Sequence, residues 1–365
     1  MALPSEASLR AIVEAGIAAP SAENRHFLRF EPADGMLRLI STDQPTWADQ
    51  PHRRWLALVS YGAVVENMAL RAGALGLVQA TDWLADRARP GLIAHCRWTP
   101  SGATADPLAQ AIAQRHTNRR FYARRPVAAE ILQQLAAQAS VVSGARLLWM
   151  DDPEHRALAL SAMRIAESER FRREALHAEL FGAVRFELGW QASADEGLPP
   201  GTLEVEPPMR ASFAALRRWP LMRAMTRLGA HHALGLRAAW LPARLAPQLG
   251  LVMADSPDEA LAAIDGGRAL QRVWLAASAA GLAMQPMAAA VALARQRAAP
   301  GWVSADTQQR IVDRLNRLTG GRAGAACMLF RLGHAPAPSV VTARPPVEHF
   351  FVAENARKEV PGRIN

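Results

Sequence analysis

Gly62-Ala63-Val64-Val65-Glu66-Asn67-Met68-Ala69-Leu70-Arg71-Ala72-Gly73-Ala74-Leu75-Gly76-Leu77 recurs, in altered form, as Gly267-Arg268-Ala269-Leu270-Gln271-Arg272-Val273-Trp274-Leu275-Ala276-Ala277-Ser278-Ala279-Ala280-Gly281-Leu282. Aligned without gaps, the two stretches share Gly62/Gly267, Leu70/Leu275, Ala72/Ala277, Ala74/Ala279 and the closing Gly76-Leu77/Gly281-Leu282. The first belongs to an apolar segment from Trp55 to Leu77 whose main polar interruptions are Glu66, Asn67 and Arg71; the second belongs to one from Ala260 to Leu282. A helix with so little polar face must be buried in a core or an interface. Each is followed by a strand-like run, Leu92 to Trp98 and Ala325 to Leu332. Alanine-rich helices can look alike by chance, but the shared ending and the shared following strand favour an internal repeat.

A repeat spaced by roughly 200 residues is too long for a solenoid unit and predicts two copies of one domain. Two similar apolar helices then meet near a pseudo-two-fold axis, as in a homodimer. The first copy is expected over 1–122. Leu9, Ile12, Val13 and Ile17 fall at helical spacing behind a Ser5 N-cap, Pro20 stops the helix, and Leu28–Phe30 and Leu37–Ile40 read as short strands. The second copy is expected over 123–365, with a helix at Ala128–Ala137, a strand at Ala145–Met150, a long helix at Pro153–Leu180 and a strand at Leu249–Ala254. Residues 182–247 have no counterpart in the first copy. They open on a Gly- and Pro-rich loop and continue with Trp219, Trp240 and several arginines, and long ordered insertions of this kind are often lids or binding loops.

With 365 residues and 50% hydrophobic content the chain can bury a substantial core. The formal charge of +9 comes almost wholly from scattered arginines, Lys358 being the one lysine, and aromatic content is 6%. Nucleic-acid binding calls for basic residues concentrated on one element with interleaved aromatics, so no specific nucleic-acid partner is expected. Cys96 and Cys327 sit far apart in strand-like runs, which predicts two buried thiols and neither a disulfide framework nor a cysteine metal site. His231 and His232 are adjacent, point to different sides of a helix and lack a third ligand, so no metal is expected. Ala18 to Ala22 superficially resembles a signal cleavage site, but Glu6, Arg10 and Glu14 interrupt the apolar region before it. No later run of about 18 uncharged apolar residues suggests a span. The expectation is a cytoplasmic protein with no membrane partner.

Two turns carry the polar chemistry. Gln114-Arg115-His116-Thr117-Asn118-Arg119-Arg120-Phe121 packs arginines, a threonine and an asparagine between apolar runs ending at Ile112 and beginning at Val127. It is either a solvated basic turn or an anion site, since Arg forks and a short hydroxyl can converge on phosphate oxygens. Ala19-Pro20-Ser21-Ala22-Glu23-Asn24-Arg25-His26-Phe27 is, at the least, a helix stop with local side-chain bonding.

Together these turns and the repeated helix resemble the nitroreductase-like, FMN-dependent flavoprotein family. Its Arg-x-Ser-x-Lys/Arg-x-Phe phosphate motif is similar to Arg115-His116-Thr117-Asn118-Arg119-Arg120-Phe121, with Thr for Ser. Its Ala-Pro-Ser-x-x-Asn turn is matched by Ala19 to Asn24, although Arg25-His26-Phe27 departs from the Gln-Pro-Trp that follows in the family. Ala283-Met284-Gln285-Pro286-Met287 stands where the family places the flavin ring, and Gly333-His334-Ala335-Pro336 with Arg344-Pro345 resembles its Pro-rich tail. The order of the motifs is unusual. The first copy has the turn at Pro20 but no phosphate motif before it; the second opens with the motif, and its next turn, Val141 to Gly144, lacks Pro-Ser-x-x-Asn.

That pattern is similar to the internally duplicated Acg-type branch. It implies an α+β nitroreductase fold in two pseudo-symmetric copies, each a mostly antiparallel sheet flanked by helices. It also implies one composite FMN site per chain, in which Arg115, His116, Thr117, Arg119 and Arg344 of the second copy join Pro20, Ser21 and Asn24 of the first, with Met284 and Gln285 at the ring. Arg115, Thr117 and Arg344 are expected on the phosphate and Arg119 at the ring's pyrimidine edge. The flavin performs the chemistry, so no catalytic side chain is expected. The implied activity is NAD(P)H-dependent reduction of a small-molecule acceptor such as a nitroaromatic or quinone, by NADPH or NADH. The alternative is an FMN-binding or storage protein whose lid leaves little turnover. The chain is expected as a monomeric pseudo-dimer or a homo-oligomer.

Overall fold

The structure is a computed structural model that describes residues 3–351 apart from 87, 297, 298 and 300; the last residues expected in the second copy, 352–365, lie outside the described residues. Ser5 accepts a hydrogen bond from the Ser8 N–H and caps helix α1 (Glu6–Ile17), which buries Ile12, Val13 and Ile17. Strands β1 (Leu28–Ala33) and β2 (Met36–Ser41) form a hairpin. Its two central residues, Asp34 (φ 52°) and Gly35 (φ 74°), take the left-handed conformations that match the twist of paired strands. Helix α2 (Pro51–Ala74) begins with Pro at its first position, where no N–H is needed, and is followed by β3 (Leu77–Trp83) and β4 (Leu92–Pro100). Then come α3 (Ala129–Ser140), β5 (Ala145–Trp149), α4 (Pro153–Arg172) and α5 (Glu174–Gly182). The short helices α6 (Arg210–Ala215), α7 (Trp219–Arg227), α8 (Ala230–Gly235) and α9 (Leu241–Leu245) lead back to β6 (Gln248–Ala254). The chain continues through α10 (Glu259–Ala279), β7 (Ala283–Met287), α11 (Ala289–Arg295), α12 (Ala305–Thr319) and β8 (Ala326–Gly333).

Two four-stranded sheets result, in the orders β1-β2-β4-β3 and β5-β6-β8-β7. Every pairing within them is antiparallel. The second order is the first with each strand replaced by its counterpart in the later half. The irregularities correspond as well: β2 slips against β4 between Leu39 and Ile40, and β6 slips against β8 between Val252 and Met253. Cys96 in β4 and Cys327 in β8 are both buried and free.

Helices α2 and α10 cross between the sheets at backbone contact. A Cβ at Gly62 would overlap the Ile264 carbonyl oxygen, and a Cβ at Gly267 would overlap that of Val59. In the gapless alignment Val59 stands against Ile264, so these are one contact with the partners exchanged. The polar contacts repeat the exchange. Arg272 Nη1 donates to Glu66 Oε1 at 2.8 Å, while at the aligned positions Gln271 Nε2 donates to Asn67 Oδ1 at 2.7 Å. Reciprocal pairing of this kind is what a two-fold interface produces. Arg272 Nη2 also donates to Asp106 at 2.6 Å and the Asn67 amide to the Ala15 carbonyl at 2.8 Å, so the buried polar groups are tied to both flanks of the crossing.

Three expectations are corrected. The apolar helix stops at Ala74, because Gly76 turns left-handed (φ 71°), and the strand after it is Leu77–Trp83, whose side chains alternate in exposure, one strand before Leu92. Pro153–Leu180 is two helices, broken where Arg173 is extended (φ −102°, ψ 131°). The excursion interrupting the second sheet begins at 150 rather than 182, because β5 pairs directly with β6 while β1 and β2 are joined by a two-residue turn.

Gly267→Ala is expected to lower stability by at least about 2 kcal/mol in urea unfolding, since its methyl meets rigid backbone. Gly73→Ala, whose Cβ meets nothing within 4 Å, should be neutral or stabilising by up to about 1 kcal/mol. Equal effects at the two positions would contradict backbone contact at the crossing.

Candidate functional site

The turn after α1 is held in an unfavourable shape. Glu23 and Asn24 are consecutive left-handed residues (φ 57° and 56°), a conformation that costs non-glycine residues energy unless the surroundings impose it. The imposing contacts converge on Asn24. Its amide donates to the carbonyls of Asp195 and Gly197, each at 3.2 Å, its backbone carbonyl accepts from Gly197 N–H, and its side-chain oxygen accepts from Arg344 Nη1 at 2.7 Å. Arg344 also donates to the carbonyls of Ile17 (2.8 Å) and Ala19 (3.0 Å), so one guanidinium grips both sides of the turn.

The arginine-rich stretch lies alongside β7. Thr117 bridges to Met284 in parallel fashion and Asn118 N–H donates to the Met284 carbonyl at 3.0 Å. Asn118 then anchors the stretch through its side chain to the Pro336 carbonyl (2.8 Å), and Tyr122 Oη donates back to the Asn118 carbonyl (2.7 Å). The sequence motif is therefore an added edge of the second sheet.

Between these two segments lies a cavity of about 700 Å³, a size suited to a cofactor with room beside it. Pro20, Ser21, Thr117, Arg119 and Gln285 line it together, with Tyr61 of α2 and Trp274 of α10. Residues from the excursion close the far side, among them Leu203, Val205, Phe213, Leu216 and Leu234. These helices share a small core of their own around Phe171, Phe181 and Met222.

The charges around the cavity do not balance locally. Arg115 is buried, donates to the Ala18 carbonyl at 2.8 Å and lies 4.6 Å from the centre of the Trp274 ring, while its Nε has no partner. Arg119 donates to the Thr202 carbonyl at 3.2 Å. Arg331 is wholly buried over the Tyr122 ring, donates to Gln285 Oε1 at 2.7 Å and to the Arg120 carbonyl at 2.8 Å, and leaves Nη1 without a partner. Burial, then the Arg344 charge, pushes Arg115 down to about 9; burial, then Arg331, pushes Arg119 down to about 10. Burial alone pushes Arg344 down to about 10, and burial foremost lowers Arg331. Among the described residues none of these four forms an ion pair with a carboxylate. Buried cations without counter-charges are costly, and an anionic ligand is the compensation such a site invites.

Other charges on the cavity wall are paired. Arg170 lies 3.3 Å from Glu167 and 3.9 Å from Glu23, and Glu179 lies 3.4 Å from His52. Burial raises the Glu23 carboxyl. Sequence reasoning missed this network, because its members come from the turn, α2, α4 and α5.

Several expected ligand residues occupy other places. Arg344 and Asn24 are spent on neutral protein oxygens and hold the turn in shape, because residues 194–197 of the excursion fold against them. Met284 is buried in β7 and contributes its backbone, and His116 is exposed beside Arg115. Arg115 reaches the cavity wall through Trp274. Missed were Trp274 on that wall, which the repeat alignment set against Ala69, and Arg331 behind it, which holds the lining Gln285 from a strand that reads as apolar core. Among the described residues no group of three or more His, Cys, Asp or Glu is arranged to hold a metal ion.

No family model matches the chain. An uncharacterized protein of Mycobacterium tuberculosis (strain CDC 1551 / Oshkosh) is 27% identical over 243 residues, which take in 60% of this chain and 30% of that protein. A nitroreductase with bound FMN from Desulfitobacterium hafniense DCB-2 overlaps at a TM-score of 0.32 with 15% identity, over 71% of this chain and 100% of its own. The FMN-dependent nitroreductase NfnB from Mycobacterium smegmatis, in complex with NADPH, overlaps at 0.33 with 17% identity, over 70% and 100%. Overlaps of this size identify no family.

His26, on the cavity wall, has its imidazole pushed down to about 3, first by burial and then by the Arg344 charge. The unfolded imidazole titrates near 6.5, so between these values the unfolded chain binds more protons and stability falls as pH falls. Between pH 6.5 and 4.5 the loss should reach about 2 kcal/mol, and His26→Gln should remove that part of the slope. Parallel pH profiles for variant and wild type in urea unfolding would contradict this.

Proposed function

We propose that the chain is an FMN-binding oxidoreductase of nitroreductase type, built from two copies of one domain over 1–122 and 123–365, with the excursion in the second copy serving as a lid. The observation that carries this reading is the cavity where Thr117 and Arg119 face Pro20 and Ser21 across the crossing of α2 and α10. The reciprocal contacts at that crossing and the matching strand orders support the two-copy reading, in which both halves of one site come from one chain and no second subunit is needed.

The residues present fit FMN. A phosphate would compensate the unpaired guanidiniums, and Arg115 Nε is an unused buried donor close to them. Trp274, Pro286 and Met287 offer flat apolar wall for an aromatic ring. Bound FMN would supply the hydride- and electron-transfer chemistry, leaving binding, orientation and charge to the protein. Thr117 and Arg119 would donate to it directly, with Arg115 and Arg344 acting through their charge and through the wall they brace. Gln285 is set by Arg331: a guanidinium only donates, so it holds the amide oxygen and leaves the Nε2 hydrogens for the cavity. A cation at Arg119 and a donor at Gln285 both favour a more negative ligand. NADPH or NADH as reductant, and a flat acceptor such as a quinone or nitroaromatic, complete the proposed reaction.

The roof formed by Leu203, Val205, Phe213 and Leu216 favours a second reading, an FMN-storage protein whose lid keeps acceptors out. One experiment separates the two. The FMN-reconstituted protein should release one flavin per chain on denaturation, and anaerobic NADPH or NADH should bleach the flavin, with a quinone restoring its colour. Persistent colour would point to storage; two flavins per chain, or none after reconstitution, would contradict the composite site.

A further inference from the structure

Residues 207–254 contain seven arginines and no aspartate or glutamate, in a chain that elsewhere mixes both signs. Helix α7 buries Met222 in the lid's own core and leaves most of its remaining surface outward. There Leu221, Met225 and Leu228 lie at spacings of four and three, one exposed apolar stripe along the helix. Leu228 is 82% exposed at the corner before Gly229, whose left-handed φ of 84° turns the chain into α8, and exposed Leu236 follows. Arg217 and Arg218 precede the helix and Arg223 and Arg227 lie on its flank away from the stripe; all four are exposed, and none of them forms an ion pair among the described residues.

We propose that this face of the lid docks on an anionic lipid surface. Apolar side chains standing out singly are unremarkable, but an exposed apolar stripe on a helix whose other flank carries unpaired arginines is the pattern of a helix that lies in a membrane interface. The two signals act together: the leucines and methionine enter the acyl boundary while the arginine heads reach lipid phosphates and their stems cover the rim. A second copy of the chain fits less well, because a contact between two such faces would bring like charges together. An acidic protein fits less well because it answers the arginines but leaves the apolar stripe, with Leu228 82% exposed, without a partner. The expectation of no membrane partner rested on the lack of a span. Among the described residues no helix is long and apolar enough to cross a bilayer, and docking at the surface requires none.

The test is co-sedimentation of the full chain with vesicles of phosphatidylcholine alone and of phosphatidylcholine mixed with phosphatidylserine. Binding should require phosphatidylserine, weaken as salt is raised, and fall about five-fold for each of Arg223→Gln and Arg227→Gln. Leu228→Asp should abolish it, and Leu228→Trp should strengthen it, a gain that misfolding cannot mimic. No binding to phosphatidylserine vesicles at low salt overturns the proposal. So does binding that ignores the Leu228 substitutions, which would mark charge attraction alone. It is also overturned if Leu228→Asp abolishes self-association in sedimentation velocity while vesicle binding persists, which would mark a dimer face.

Discussion

The architecture depends on the approach of α2 and α10 to backbone contact. Only at Gly62 and Gly267 is there no Cβ to hold the helices apart, and each glycine sits against a carbonyl of the other helix. The crossing is also where the buried polar groups are spent, in the Glu66–Arg272 and Asn67–Gln271 pairs. Truncating one member of such a pair leaves its partner buried and unsatisfied, so the register of the crossing is strongly specified. Because Tyr61 projects from α2 and Trp274 from α10 into the same cavity, the geometry of the crossing is also the geometry of the site.

The second organising fact is the set of guanidiniums enclosed without carboxylates. Hydrogen bonds to neutral carbonyls satisfy much of their donor capacity but leave their charge uncompensated, which is why burial lowers Arg115, Arg119 and Arg344. In the proposed site such a field would be set before any ligand arrives, at a cost in stability. Carboxylates exist nearby, at Glu23, Glu167 and Glu179, yet they pair with Arg170 and His52.

Much of this was legible in the sequence, and for definite reasons. The likeness of the two apolar helices was visible because their close approach calls for a small residue at the aligned positions 62 and 267. The turns at Pro20 and Arg115 were visible because Pro, Ser, Asn and clustered Arg each signal a local constraint. What stayed hidden depends on pairing between distant segments. The apolar helix was read through to Leu77 and the strand Leu77–Trp83 went unseen because its identity is set by β4 beside it. Arg331 was hidden inside an apolar run because its partners, Gln285 and Tyr122, come from other segments. The bracing contacts of Arg344 were hidden for the same reason: only the fold brings the carbonyls of Ile17 and Ala19 to it.

If the enclosed positive charge exists to receive a phosphate, removing the phosphate from the ligand removes most of the affinity. The direct measurement is calorimetric titration of the flavin-free protein with FMN and with riboflavin, which carries the same ring. FMN should bind at least about 100-fold more tightly, the equivalent of one or two charge-assisted contacts. Equal affinities would contradict a phosphate among these arginines and, with it, the proposed site.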